Sequence, residues 1–393
     1  MLTRRAVLGL GAVALAAAGM PAQSFAQDTI KVGLILPMTG PFASTGRQIE
    51  AAVKLYMAEN GDTVAGKKIE VIVKDDTNVA DTTKRLAQEL VVNDGVKVIA
   101  GFGLTPLALA AAPIATQAKV PQIVMAAGTS IITERSPFIV RTSFTVPQKA
   151  SVMGQWAAKN NIGKAFTVVA DYAPGHDAEK TFKDFFTKGG GQIVGEARVP
   201  VANPDFAPFL QRAADAKPDA IFVFVPSGQG AAFTKQFIER GLDKSGIKLI
   251  ATGDLPDDDI LNGFGDTAVG LISAGHYSAA HPSAKNKAYV AAFEKANPGM
   301  RPNFMSVGGY DGMHLIYEAL KKTNGNADGE ALIAAMKGMM FESPRGPIKI
   351  DPETRDIIQN IYVRKVEKVN GELYNQEFAV IEQVKDPVKA AKK

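Results

Sequence analysis

The sequence predicts an α/β protein of two units, each a largely parallel sheet wrapped on both faces by helices. Three observations carry that reading. From Ile30 to Ser130 short apolar runs alternate strictly with amphipathic stretches of helical period, the pattern of a doubly wound sheet. Near Arg141-Thr142-Ser143 the pattern pauses, and at Ala165 it starts afresh. In both halves glycine, serine, threonine or aspartate stands just past the strand ends, where ligands bind in open α/β sheets.

Met1 to Ala26 reads as an export signal. Arg4 and Arg5 precede the uncharged apolar run Ala6 to Ala18, and Ser24-Phe25-Ala26 is a small-x-small cleavage site before Gln27. The run is too short for a membrane span. Thr3-Arg4-Arg5-Ala6-Val7-Leu8 is similar to a twin-arginine signal, but Gly9 stands where its last basic residue belongs, so the general secretory route stays open. The chain has no cysteine, which excludes both a lipoprotein anchor and disulfides; the folded state must rest on core burial. Lys and Arg number 44 against 40 Asp and Glu, and two of the arginines fall in the leader. That near balance gives no hint of nucleic acid or of an anionic membrane surface.

The first unit opens with a buried strand, Ile30 to Leu36, and the loop Pro37 to Gly46, which contains Phe42 and Thr45. A helix then runs to Asn60 with Ile49, Val53, Tyr56 and Met57 on one face and Gly61 as its stop. Ile69 to Val73 is the next strand, and Asp81 to Asn93 a helix carrying Leu86 and Leu90. Val96, Val98 and Ile99 form a strand ending in Gly101-Phe102-Gly103. Thr105-Pro106 opens an alanine-rich helix, Thr as N-cap and Pro at the first helical position. Gln122 to Met125 is a further strand, ending in Ala126-Ala127-Gly128-Thr129-Ser130. These two strand ends look like half of a ligand cleft, because a helix N-terminus with free N–H groups attracts carboxylates. Taken alone, they also fit two ordinary turns of an α/β protein.

In the second unit, Ala165 to Ala170 is a strand feeding the loop Asp171 to Gly175 and a helix ended by Gly189-Gly190-Gly191. Ile221 to Val225 is the most apolar strand, followed by Pro226-Ser227-Gly228-Gln229-Gly230 and a helix to Arg240. Lys248 to Thr252 is another strand, with Gly253-Asp254 after it. After Ile272 the chain returns to the first unit. Ser283 to Ala296 and Tyr310 to Lys322 are amphipathic helices, the second with Met313, Ile316, Tyr317 and Leu320 inward. Gly346 to Asp351 and Ile361 to Val369 are late strands, and the lysine-rich tail from Lys385 is expected to be disordered.

Catalytic motifs are missing. His276 and His281, two of four histidines, are five apart, which fits neither a helical nor a strand metal pair; both are expected on the surface or lining a cleft. Val225 stands where a nucleophile elbow around Ser227 needs glycine. Pro106 replaces the third glycine of a dinucleotide fingerprint. Asp257-Asp258-Asp259 lacks the alternation and glycine of a calcium loop and reads as an acidic helix N-terminus. No metal and no cofactor are implied, and the odds move from enzyme to binding protein.

The chain resembles the type I periplasmic solute-binding proteins of the branched-chain amino-acid (Leu/Ile/Val) group that serves ABC transporters. The resemblance rests on IKVGLILPMTGPFASTGRQIEAAVKL, VKVIAGFGLTPLALAAAPIATQAKVPQIV, IIT, FIVRT, DYAPGHD, GYDGMHLIYEAL and GPIKIDPETRD, in that order and spacing. It implies two lobes joined by three crossovers that close on a ligand in the manner of a Venus flytrap. Lobe I would take residues 28–147 and 274–354, lobe II 148–273 and 355–384, with 385–393 as the tail. The family's carboxylate-holding hydroxyl falls on Thr105, its backbone clamp on Ala126-Ala127-Gly128 with Thr129 one step later. Its lobe II aromatic falls on Pro174, with Tyr172 as a replacement two positions earlier. Another lobe II contact falls near Ser227 to Gly230, Ser227 and Gly228 foremost, and the ammonium-binding acid falls on Gly253 or, with a one-residue shift, Asp254. Two departures stand out: Gly128 replaces a threonine, and Gly253 replaces a glutamate. MAAGTS followed by IITERSPFIVRTSF is similar to the subgroup that binds aromatic acids such as benzoates, for which Phe42, Phe102, Tyr172 and Tyr277 would supply walls, with Thr45 and Gly103 completing the cleft.

The expected function is therefore a periplasmic, monomeric binding protein that delivers a small carboxylate to ABC permease subunits, a benzoate-type acid ahead of a branched-chain amino acid. An exported sensory subunit docking on a receptor shares the same cleft and remains the alternative. An exported hydrolase is a distant third.

Overall fold

The structure, a computed structural model, describes residues 28–392; the expected leader, export pattern and cleavage site lie outside the described residues. Strand β1 (Thr29–Leu36) has parallel neighbours on both sides, which is why it reads as a continuous apolar run rather than an alternating one. Helix α1 (Ala43–Asn60) follows, with Ile49, Val53 and Tyr56 buried. Then come β2 (Thr63–Val64), β3 (Lys67–Asp75), α2 (Ala80–Val92), β4 (Val98–Gly101), α3 (Thr105–Ala118), β5 (Gln122–Val124) and β6 (Ile139–Arg141). These six strands lie in the order β2-β3-β1-β4-β5-β6, and only β2 is antiparallel.

A first crossover leads to α4 (Val146–Lys159), whose start is fixed by a capping box between Thr145 and Gln148. The second unit continues through β7 (Lys164–Ala170), α5 (Ala173–Lys188), β8 (Gln192–Val199), α6 (Ala207–Asp215), β9 (Ala220–Phe224), α7 (Gly230–Glu239), β10 (Lys248–Thr252) and β11 (Ile272–Gly275). The chain crosses back into α8 (Ala284–Ala296), α9 (Phe304–Lys322) and α10 (Gly329–Met336), and α9 packs along α1 of the first unit. A third crossover enters β12 (Met340–Ser343), β13 (Gly346–Ile350), β14 (Ile357–Val369), β15 (Glu372–Val384) and α11 (Pro387–Ala390). The second sheet runs β12-β13-β14-β11-β10-β9-β7-β8, with β15 also paired to β14. From β11 to β8 it is parallel; β12 to β15 are antiparallel additions. The fold is thus α/β, with two doubly wound lobes joined by three crossovers, as the sequence and its resemblance imply.

Three details differ from the expectation. Residues 340–350 were expected with lobe I, yet β12 and β13 join the second sheet, because β13 finds its partner in the adjacent β14. β15 went unseen: its outer half, with Phe378, Val380 and Ile381 exposed, lacks the alternation of a half-buried strand. The tail is ordered through residue 392. Asp386 caps α11 by accepting N–H bonds from Val388 and Lys389, and the Lys389 ammonium is buried against Asp356 and Thr133. A lysine run is a solvated tail only when no buried carboxylate waits for it.

Buried arginines pin the crossovers to the site. Arg141, fully buried, pairs with Asp356 at 2.8 Å and donates to the carbonyls of Ala127 (2.8 Å), Phe144 (2.9 Å) and Thr129 (2.7 Å). Arg345 pairs with Asp311 at 2.7 Å and donates to the Ser143 carbonyl at 2.8 Å. Charges so buried persist only when paired and hydrogen-bonded, so each also orders the segments it touches.

Candidate ligand-binding cleft

The C-terminal ends of strands from both sheets face one narrow interlobe cavity, at the place where ligands bind in open α/β sheets. Lobe I supplies Phe42 and Thr45 at the start of α1, Gly103, Leu104 and Thr105 after β4, Ala126, Ala127 and Gly128 after β5, Phe144 and Val146 on the first crossover, and Met305 on α9. Lobe II supplies Tyr172, Pro174, Phe224, Pro226, Ser227 and Asp254. Aromatic rings, proline and aliphatic side chains make most of the wall, and none of the lining residues is Lys, Arg or His. A wider groove of about 780 Å³, lined in part by Asn262, Glu294, Arg301 and Tyr374, is more open and more polar. It cannot strip water from a ligand as the interlobe cavity can.

Ten of the fourteen residues expected at the cleft line it: Phe42, Thr45, Gly103, Thr105, Ala126, Ala127, Gly128, Tyr172, Ser227 and Asp254. Four do not. Phe102 and Tyr277 are fully buried in the core. Phe102 bends the strand end instead, at φ 68°, a conformation rare for a residue with a side chain. Thr129 lies behind the wall and shares a hydrogen bond between hydroxyls with Thr105 at 2.7 Å. Gly228 sits against the Pro41 carbonyl of the other lobe. Sequence reasoning missed Leu104, Phe144, Val146, Phe224, Pro226 and Met305, which are apolar and carry no motif.

Several expected roles are corrected by the contacts. Thr105 is the first residue of α3 rather than its cap; Leu104, with no side-chain acceptor, holds that position. The Thr105 hydroxyl is thereby released to meet Thr129 at the cleft. The Ala127 N–H is spent on the Phe102 carbonyl at 3.0 Å, so the expected clamp lacks that donor. Ser227 donates to Asp257. Asp257, Asp258 and Asp259 precede a short 3₁₀ turn, Leu261–Phe264, not an α-helix, and they spend their carboxylates on tertiary contacts. Asp257 accepts from Asn303, the N-cap of α9, at 3.0 Å, and Asp258 from Asn375 at 3.1 Å. Asp259 accepts from Gln48 of α1 at 2.9 Å and from Ser44. Two of the three bind lobe II to lobe I. His276 is neither on the surface nor at the cleft but buried between the Phe144 and Phe304 rings, where burial holds its pKa well below the usual imidazole range. His281 pairs with Glu377 at 2.8 Å.

The two glycine departures have physical causes. A Cβ at Gly128 would stand 2.5 Å from the Phe144 ring; an aromatic wall has taken the place of a larger side chain. A Cβ at Gly253 would stand 2.3 Å from the Arg364 guanidinium, so an acidic side chain would enter only by displacing it. Asp254 is also taken, since the buried Lys149 ammonium lies 2.5 Å from its Oδ2. Burial and the adjacent Asp254 carboxylate push the Tyr172 phenol upward, which leaves it a neutral donor. The cleft therefore offers a helix N-terminus and hydroxyls at one side, an acceptor carboxylate on the other, and flat apolar walls between.

Among the described residues no cluster of His, Cys, Asp and Glu is arranged for a metal, and no helix is long and apolar enough to cross a membrane. Comparison with known proteins agrees with the architecture. The chain is 43% identical over 379 residues to Leu/Ile/Val-binding protein homolog 6 of Brucella abortus (strain 2308), covering 95% of this chain and 97% of that one. It superposes with a TM-score of 0.91 and 71% identity on a solute-binding protein of an ABC transporter from Rhodopseudomonas palustris BisB5, solved with 3,4-dihydroxybenzoic acid; 92% of this chain and 99% of that one are covered. A second such protein from R. palustris, solved with 4-hydroxybenzoate, gives 0.89 and 41% identity over 91% of this chain and 98% of that one. The family model described as periplasmic binding protein matches residues 29–372, and with two lobes, three crossovers and a cavity between the strand ends, the chain belongs to that family.

Proposed function

We propose that this protein is the solute-binding component of an ABC importer and that its ligand is a hydroxylated benzoate. The observation that carries the ligand class is the state of the two positions where an α-ammonium would be met. The guanidinium of Arg364 fills the space at Gly253, and Lys149 already pairs with Asp254. An amino acid would bring a third cation to a buried site with no free carboxylate, at a cost of several kcal/mol. An aromatic acid brings none. Its ring suits the walls of Phe42, Phe144, Tyr172 and Phe224, its carboxylate the α3 N-terminus and the Thr105–Thr129 hydroxyls, and its ring hydroxyl the Asp254 carboxylate. The complexes of the two R. palustris proteins support this reading.

Within the same proposal, residues 1–26 are a leader removed after Ala26, the mature protein works in the periplasm as a monomer, and permease subunits receive its ligand. It performs no catalysis. Branched-chain amino acids remain the second reading, favoured by what the Brucella relative is called. Melting curves decide between them, since a ligand at a hundredfold its dissociation constant stabilises by about 2.7 kcal/mol. 4-Hydroxybenzoate or 3,4-dihydroxybenzoate should raise the melting temperature, and leucine, isoleucine and valine should not. A shift with leucine and none with any aromatic acid overturns the proposal.

A further inference from the structure

Lys149 enters from the first turn of α4 and is 1% exposed. It does not line the cavity, but it touches two groups that do. Its Nζ is 2.5 Å from Asp254 Oδ2 and 3.5 Å from the centroid of the Phe144 ring. Taking an ammonium this far out of water is costly, and burial pulls its pKa down against the opposing pull of Asp254. Such a charge persists only when it is paired, and its one carboxylate partner among the described residues is Asp254 of the cavity wall.

What depends on it is the charge balance of the cavity. A ligand carboxylate entering a site whose wall holds Asp254 places two anions in one water-poor space, where like charges repel far more strongly than in water. No lining side chain is cationic, so compensation must come from behind the wall. Lys149 supplies it in direct contact with Asp254, and Arg364 adds a second cation nearby. A zwitterionic ligand meets the opposite situation: its ammonium finds Asp254 paired and faces Lys149 across it. We propose that Lys149 is the resident counter-cation of Asp254 and thereby a specificity-determining positioning residue, which lets an anionic ligand share the cleft with an acidic acceptor for its ring hydroxyl and closes that acceptor to α-ammonium groups. The inference rests on the aromatic-acid reading and extends it to a residue that no ligand touches.

The test is titration calorimetry of benzoate, 4-hydroxybenzoate and leucine at pH 8 with the wild type, Lys149→Met, Asp254→Asn and the double variant. The wild type should bind 4-hydroxybenzoate about tenfold more tightly than benzoate, the worth of one charge-assisted hydrogen bond. Lys149→Met, which leaves Asp254 uncompensated, should weaken both aromatic acids by about tenfold or more. Adding Asp254→Asn removes the stranded charge, so the double variant should recover benzoate to within about threefold of wild type without regaining the preference for 4-hydroxybenzoate. A purely structural lysine would lower the melting temperature of Lys149→Met and leave the affinity of its folded fraction unchanged. Wild-type affinity in Lys149→Met, or a double variant no better than the single, overturns the inference. If Lys149→Met fails to fold, the Asp254→Asn and double variants still decide it, since both must keep benzoate and lose the hydroxyl preference. Leucine bound by the wild type in place of both aromatic acids overturns the functional reading itself, before any variant is compared.

Discussion

The hydroxyls of Thr105 and Thr129 share one hydrogen bond at 2.7 Å, so of two hydroxyl hydrogens one is spent between them and one is left to donate. When Thr129 donates, the spare hydrogen is that of Thr105, the first residue of α3, where backbone N–H groups lack helical acceptors. Charge-assisted hydrogen bonds of this kind are worth about 1.5–3 kcal/mol. Thr105→Val keeps the shape and removes the donor, so calorimetry should show affinity for the carboxylate ligand falling by about tenfold or more. Stability should fall by about 1–3 kcal/mol, because the buried Thr129 hydroxyl loses its partner, while the helix start at Leu104 is untouched. An affinity within about twofold of wild type would put the carboxylate elsewhere in the cleft. Thr105 was legible in the sequence because threonine before proline marks a helix start. Lys149 was not, because a lone lysine in the first turn of a helix looks like a solvated one until its partner, 105 residues away, is known.

Helix α11 shows how much a short element can hold. Lys389 reaches Asp356, which also pairs with Arg141, and Arg141 in turn holds the carbonyls of Ala127 and Thr129 behind the cleft. Lys389→Ala leaves Asp356 one cation short inside the protein. Hydrogen bonds to charged groups suggest a loss of about 1–3 kcal/mol, measurable by denaturant unfolding. Lys392→Ala is the matched control: its pair with Glu134 is largely exposed, and exposed pairs contribute about 0–1 kcal/mol. Equal effects would mean that the tail is not anchored through Lys389. Helices such as α1 and α9 were readable because their apolar residues recur at helical spacing against a common core. β12, β13 and β15 were misplaced or missed because strand partners are chosen in space, and sequence shows only the strand.

The molecule as a whole is tied shut between its lobes. Asp259 bonds α1, Asp257 bonds Asn303, and Asp177 of α5 accepts the Ser130 N–H at 2.9 Å. Burial first, and then the Asp259 carboxylate, push Asp257 up to about 8; burial pushes its neighbour Asp258 up to about 6. A carboxyl raised above its unfolded value favours the folded form when protonated. Its contribution is full below about pH 4 and is lost as pH rises through about 8. Asp257 faces Ser227, Asp258 and Asp259 from its own lobe and Asn303 from the other, with Lys149 and Arg364 also within its field. Asp257→Asn cannot ionise there. The stability of wild type relative to Asp257→Asn should therefore fall steadily between pH 5 and pH 8.5, read as the difference of two melting curves. A pH-independent difference would show that Asp257 carries the same charge throughout.

At this scale the sequence by itself determined the class of fold, the two units, the strand ends that face a ligand and the absence of known catalytic motifs. Each follows from local period, turn chemistry or residue type, which neighbours along the chain can express. Tertiary structure alone decided which charges are already spent. That Arg364 occupies the space at Gly253, that Lys149 neutralises Asp254, and that three aspartates resembling a helix cap instead join the lobes and the sheet edge all depend on residues tens to hundreds of positions apart. Ligand class turns on those pairings, because a buried charge acts according to its partner and not its type.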